Sequence, residues 1–190
     1  QTCALPISAA TLIEAGLNSS GGAVAGVASS SVSLLKSDVD FNDSVTYLTG
    51  GWKAQSADVF TKEDTYGVFT LNTNSNTVSY NLNDGRTATQ ALKGSDVLDR
   101  SVSVQVRDLA GATQTLDVHF TIQGSNDAPQ SSPASVSVSE DGVITGNLLQ
   151  GVSDLDSPAN QLRISGVTGT VTANGTYGAF SFDSLGNFSY

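Results

Sequence analysis

The chemistry available to this chain rests on carboxylates. Two acidic pairs share one spelling, Ser37-Asp38-Val39-Asp40 and Ser153-Asp154-Leu155-Asp156, and an Asn126-Asp127 dipeptide lies between them. In an extended chain, side chains i and i+2 point the same way. Each Asp-x-Asp pair therefore sets two carboxylates side by side, able to share one cation or bridge two. Across 190 residues, 18 acidic side chains against 8 basic ones leave a net charge of −10. Two readings follow. Surplus acid keeps a protein dissolved, or it gathers a hard cation such as Ca²⁺, which takes roughly six to eight oxygen ligands. The same balance leaves little to neutralise phosphates, which argues against nucleic acid and against an anionic membrane surface.

Other chemistries lack their parts. His119 is the sole histidine, on the wet side of an alternating segment with Asp117 two residues away, so a zinc site with three or four N/S ligands has no donors. No G-x-S-x-G elbow occurs, and nothing orients a Ser-His-Asp set; the chain reads as a non-enzyme. Gly21-Gly22 and Gly50-Gly51 open no helix, so no phosphate loop is implied. Cys3 has no partner for a disulfide. Trp52, beside Gly50-Gly51, has two readings: a platform for sugar, or a ring packed on its own domain. Asp43, Asp84 and Asp183 read as turn aspartates whose side chains cap their own backbone. No apolar run approaches the ~20 residues of a membrane helix, and the first residues lack the pattern of a secretory leader. The chain reads as incomplete at both ends. Gln1-Thr2-Cys3-Ala4-Leu5-Pro6-Ile7 reads as a translated sequencing adapter, so residues 1–10 are expected to be a non-native or disordered leader.

The elements that must position the carboxylates are strands. Val102, Val104 and Val106 alternate with polar residues, as do Leu116, Val118, Phe120 and Ile122; Val136 and Val138 alternate with serines. Period-2 alternation means one buried and one wet face. Turn clusters punctuate these runs at 72–76, 83–85, 109–111 and 185–187. Short motifs also recur in order. Tyr66-Gly67-Val68-Phe69-Thr70 returns as Tyr177-Gly178-Ala179-Phe180-Ser181. Asn76, Ser79 and Tyr80 return as Asn187, Ser189 and Tyr190 with one residue fewer between. The Ser-Asp-x-Asp element repeats, and Glu14-Ala15-Gly16 returns as Glu140-Asp141-Gly142. The expected fold is all-β: tandem Greek-key (Ig/cadherin-like) β-sandwich repeats. Repeat 1 spans 11–124, a Pro-containing linker 125–133, and a partial repeat 2 covers 134–190. The second copy lacks counterparts of the strands at 102–107 and 115–122, so the inner face of its remaining sheet is expected to be exposed.

The Ser125-Asn126-Asp127-Ala128-Pro129 ending after Val104-Gln105-Val106-Arg107-Asp108, the Ser-Asp-x-Asp elements, and Thr65-Tyr66-Gly67-x-Phe69 with its Asn-centred hairpin together resemble the VCBS repeat and the bacterial cadherin-like group of large secreted, RTX-type adhesins. The resemblance covers roughly residues 11–190. It implies a calcium-rigidified structural repeat of an extracellular bacterial surface protein, with roles in cell adhesion and biofilm attachment. Its partners would be neighbouring repeats of the same chain and a cell-surface or matrix ligand. It also implies a ligand set at the junction: Glu14 and Asp99 from repeat 1, Asn126 and Asp127 from the linker, Asp154 and Asp156 from repeat 2. Asp38, Asp40 and Asp108 would form the matching set at the other end of repeat 1, and Glu140 and Asp141 would face a following repeat. Ser101 stands where the cadherin pattern places a glutamate. The alternatives are a carbohydrate- or protein-binding sandwich, with Trp52 at its site, or an accessory repeat of a large secreted enzyme.

Overall fold

The structure, a computed structural model, describes residues 7–8, 10–35 and 44–190. The chain divides into two compact units: Gln1–Asn18 with Ala23–Asn126, and Ser19–Gly22 with Asp127–Tyr190.

The first unit is built from β1 (Ile7–Ser8), β2 (Leu12–Ile13), β3 (Gly16–Leu17), β4 (Ala23–Val24), β5 (Ser29–Ser33), β6 (Thr46–Leu48), β7 (Lys53–Ala54), β8 (Val59–Glu63), β9 (Gly67–Asn72), β10 (Thr77–Leu82), a one-turn helix α1 (Thr87–Gln90), β11 (Val97–Arg107) and β12 (Thr113–Gln123). One sheet runs β1-β12-β11-β6, with β2 also pairing β12; another runs β5-β10-β9-β8-β7, and β3-β4 form a small ribbon. The order β5-β10-β9-β8 is a Greek key: a three-strand meander whose last strand lies beside the first strand of the set.

Alternation decides which side faces in. Val102, Val104 and Val106 on β11 and Leu116, Val118, Phe120 and Ile122 on β12 are all buried, while their neighbours face water. The facing sheet contributes Phe69, Leu71, Val78, Tyr80 and Leu82. Phe120 bridges the layers, its ring 6.0 Å from Phe69 and 5.7 Å from Tyr80. Each such side chain removed from water stabilises the unit by about 1.5–3 kcal/mol.

The second unit holds β13 (Thr145–Asn147), a 3₁₀ turn at Ala159–Gln161, β14 (Thr170–Asn174), β15 (Ala179–Asp183) and β16 (Asn187–Ser189), in the order β13-β16-β15-β14. This sheet repeats the order and register of β5-β10-β9-β8. Leu71 faces Val78 in one, and Phe182 faces Phe188 in the other. Thr61 faces Thr70, and Thr172 faces Ser181. The turns repeat as well. Asp64 N–H donates to Gly67 O, as Gly175 N–H donates to Gly178 O. Asn72 Oδ1 accepts two backbone N–H groups of its turn, and Asp183 Oδ1 does the same.

Three expectations are corrected. Ile7 and Ser8, placed in a leader expected to be non-native or disordered, pair in parallel with Val118 and His119. An outer β12 without them would leave a row of unpaired backbone groups, which any short extended segment can satisfy. Val136 and Val138 form no strand and are 65% and 38% exposed. Their alternation is real, but among the described residues no strand runs beside them, whereas Leu12–Ile13 finds β12. The turn residue Asn76 aligns with Gly186 rather than Asn187: both have positive φ, 53° and 84°, and both carbonyls accept the same bond, from Leu34 and Leu148 N–H.

Candidate metal centre

In the second unit the acidic residues gather where a loop meets an extended segment. Asp154 folds the loop as an Asx turn: its Oδ1 accepts Asp156 N–H (3.1 Å) and Ser157 N–H (2.8 Å). Gln130 and Ser153 exchange backbone bonds of 2.8 and 3.0 Å, which lays residues 127–130 alongside. Asp127 N–H then donates to Asp156 Oδ2 at 3.0 Å, and Ser157 Oγ donates to Asp156 Oδ1 at 2.9 Å. Asp127 and Asp156 are 1% and 6% exposed, and Asp127 Oδ2 is itself buried. The Asp154 carboxyl is pushed up, first by desolvation, then by its side-chain hydrogen bond with Asp156 and by that neighbour's charge; the Ser157 and Asp156 N–H groups oppose the rise. Among the described residues no Lys, Arg or His forms an ion pair with Asp154 or Asp156. Asp154 and Asp156 are neighbours here through this Asx turn, not through the extended i, i+2 geometry expected from the sequence. Among the described residues, however, no three Asp, Glu, His or Cys side chains are already arranged as a metal cage.

The first unit treats its acids separately. Glu14 is 1% exposed; its N–H bonds Gln123 O (3.0 Å) and its Oε2 accepts Ser125 N–H (3.2 Å). Gly26 lies against this backbone, where a Cβ would come within 2.2 Å of Ile13 O. Asn126 is exposed beside the Lys93–Asp96 turn, in which Asp96 Oδ2 accepts Lys93 N–H (2.9 Å). Asp99 lies on the wet face of β11 and pairs with His119 Nδ1 at 2.8 Å. Asp108 closes the β11–β12 turn, its Oδ1 accepting Ala112 N–H at 2.7 Å. Glu140 and Asp141 are exposed in a turn where Asp141 has φ 62°. Asp38, Asp40 and Asp43 lie outside the described residues. Asp84 Oδ1 lies 3.5 Å from Ala15 N, and Asp183 caps its own turn as expected.

A hub escaped the sequence reading. Asp64 Oδ1 accepts from Tyr66 N–H (2.9 Å), Gly67 N–H (2.8 Å) and Tyr80 Oη (2.7 Å), and Oδ2 accepts from Arg100 Nε (2.8 Å). The Arg86 guanidinium donates to the Asp64 carbonyl and pairs with Glu63 at 3.2 Å. Arg100 also lies 5.4 Å above the Tyr66 ring. Because Arg100 belongs to β11 and Asp64 joins β8 to β9, this bond pins the two layers together. Burial pushes the Asp64 carboxyl up, but the bonds from Tyr80, Gly67, Arg100 and Tyr66 outweigh it and hold the pKa below the usual value. Burial and the Asp64 charge raise the Tyr80 phenol. The available signal was an arginine inside an otherwise apolar/polar alternation.

Trp52 packs on the core of its own unit, beside an open hollow of about 610 Å³ lined by Tyr47, Ser103, Gln105 and Thr115. Among the described residues no helix is long and apolar enough to cross a membrane. No family model matches the chain, and no curated protein matches it.

Proposed function

We propose that this chain is a structural segment of an extracellular bacterial surface protein of the cadherin-like adhesin kind, whose acidic loops take Ca²⁺. The observation that carries the reading is the Asp127–Asp154–Asp156 arrangement. It holds two buried acids, Asp127 and Asp156, and an Asp154 carboxyl made harder to ionise first by desolvation and then by Asp156. Such a set favours a hard, oxygen-seeking divalent cation, because the cation relieves both the desolvation and the repulsion. Those three residues would hold the ion, completed by backbone carbonyls and water; the ion supplies positive charge and cross-links the loop to segment 127–130. Support for the structural role comes from the repeated Greek-key sheet and the acid surplus. In the resemblance described above, such sandwiches are stacked as spacers in adhesion proteins.

Calorimetric titration tests this. Ca²⁺ is expected to bind the whole chain with a Kd of about 10⁻⁴–10⁻³ M, the range of extracellular modules, and to raise its melting temperature. Asp156→Asn should weaken binding at least tenfold. Absence of heat with the native chain, or binding untouched by Asp156→Asn, would overturn the calcium reading. Antibody labelling of intact producing cells tests the surface location; signal confined to lysed cells would refute it.

A further inference from the structure

The outer face of the β11–β12 ribbon carries polar side chains that the calcium proposal leaves unused. Ser101 faces His119 across the ladder, and Asp99 faces Thr121 one pair along on the same face. Asp99 reaches diagonally, so that its Oδ2 lies 2.8 Å from His119 Nδ1. At this point β12 is an inner strand, paired through Ser101 of β11 on one side and Ser8 of β1 on the other. Backbone pairing on both flanks fixes the place from which the ring projects. Both side chains stay open to water, His119 at 32% and Asp99 at 60%. Arg100, next in the chain, points to the other face and bonds Asp64; among the described residues no Lys or Arg pairs with Asp99. A second carboxylate, Asp117, stands on the same face two residues from His119, ~7 Å along the strand. It accepts Ser103 Oγ at 2.6 Å.

An imidazole nitrogen and a carboxylate oxygen this close can hold a proton between them, or a metal ion. Two ligand atoms each ~2.1 Å from one ion, at right angles, lie ~3.0 Å apart. The pair therefore needs only a small side-chain adjustment to chelate. The mixed donor set selects the ion: Ca²⁺ and Mg²⁺ take oxygen, whereas imidazole suits Zn²⁺, Ni²⁺ and Cu²⁺. We infer that His119 Nδ1 and Asp99 Oδ2 form an open, two-ligand site for a late first-row divalent cation, which cross-links β11 to β12 on their outer face. Water fills the remaining positions, since among the described residues no three Asp, Glu, His or Cys side chains gather at one point. The scarcity of nitrogen and sulfur donors excludes a closed structural zinc site but not an open one. Neutral His119 enters by moving its one ring proton from Nδ1 to Nε2; the imidazolium form releases one proton. The net charge of −10 draws cations toward the chain. This inference uses none of the residues of the calcium reading and stands apart from it.

His119 is the sole histidine, so its ring protons give NMR signals that need no assignment. The test adds Zn²⁺ to the full chain, with the Cys3 thiol alkylated so that it takes no metal. Both ring signals should shift or broaden, and Ca²⁺ in the same excess should move neither. The Zn²⁺ response should persist when the chain is already saturated with Ca²⁺, which separates this site from the Asp127–Asp156 loop. Read from the same signals, Asp99→Asn should weaken Zn²⁺ binding at least about tenfold, since loss of a ligand costs no less than loss of a supporting hydrogen bond. In calorimetry Cu²⁺ should bind more tightly than Zn²⁺ or Ni²⁺. Ring signals that stay in place under excess Zn²⁺ would overturn the inference, and this measurement needs no variant. Signals that move equally with Ca²⁺, or a Zn²⁺ response abolished by Ca²⁺, would also overturn it. Undiminished Zn²⁺ binding by Asp99→Asn would reduce the site to a lone imidazole and defeat it as well.

Discussion

Asp64 and Asp154 are both partly shielded carboxylates, and their surroundings push them in opposite directions. Asp64 is held low by its donors, so its contribution to stability is present above the unfolded pKa and is lost as pH falls through the lower folded value. Acid should therefore loosen the first unit below about pH 4. Asp64→Asn should flatten that dependence and cost about 1.5–3 kcal/mol near neutrality, through its charge-assisted bond to Arg100; urea unfolding against pH measures both. Asp154 is raised, so the folded state binds the extra proton and stability falls as pH climbs from the unfolded pKa to the raised one. Melting of the second unit should rise slightly on mild acidification, and Asp154→Asn should abolish the rise. Asp154 and Asp156 are near one another in the chain, but it is the Asx turn at Asp154 that brings them together, not the extended i, i+2 geometry. The Asp64–Arg100 bond was invisible, since it joins residues 36 apart across two layers.

At the level of elements, the hairpins carry the specification. Asn76 sits at φ 53° in the β9–β10 turn. Both Asn76→Ala and Asn76→Gly lose the bond that Asn76 Oδ1 accepts from Tyr47 Oη at 3.0 Å, but Asn76→Ala should cost about 1 kcal/mol more, because glycine adopts the left-handed region without a Cβ clash. Gly67→Ala places a Cβ within 2.2 Å of Asn81 O, against backbone that cannot give way, while Gly178→Ala meets only a ring at 3.1 Å. Thermal melts should show the first substitution as much the more damaging. Alternation made the cores of β11 and β12 legible, because each has one face in a core, but not the first five residues of β11, Val97 to Ser101, where no apolar alternation runs. The same alternation at Val136 and Val138 misled, because a pattern describes what a strand would bury without guaranteeing a partner.

For the whole molecule, the two units differ in how much apolar surface they enclose. Calorimetry should resolve two transitions, the second unit melting first. Phe120→Ala, which empties the contact between layers, should lower only the later transition, by about 3–5 kcal/mol. A single transition moved as a whole by that substitution would show that the units do not unfold independently.

The all-β class, the turn positions and the recurrence of one sheet were determined by sequence alone, because strand periodicity and turn chemistry act between neighbours in the chain. Tertiary structure decided the carboxylates' partners: Asp99 takes the His119 ring, Asp64 takes Arg100 and Tyr80, and Asp156 accepts the backbone N–H of Asp127. Those outcomes depend on which layer packs over which. Packing brings together residues far apart in the chain, and no local pattern encodes their distance.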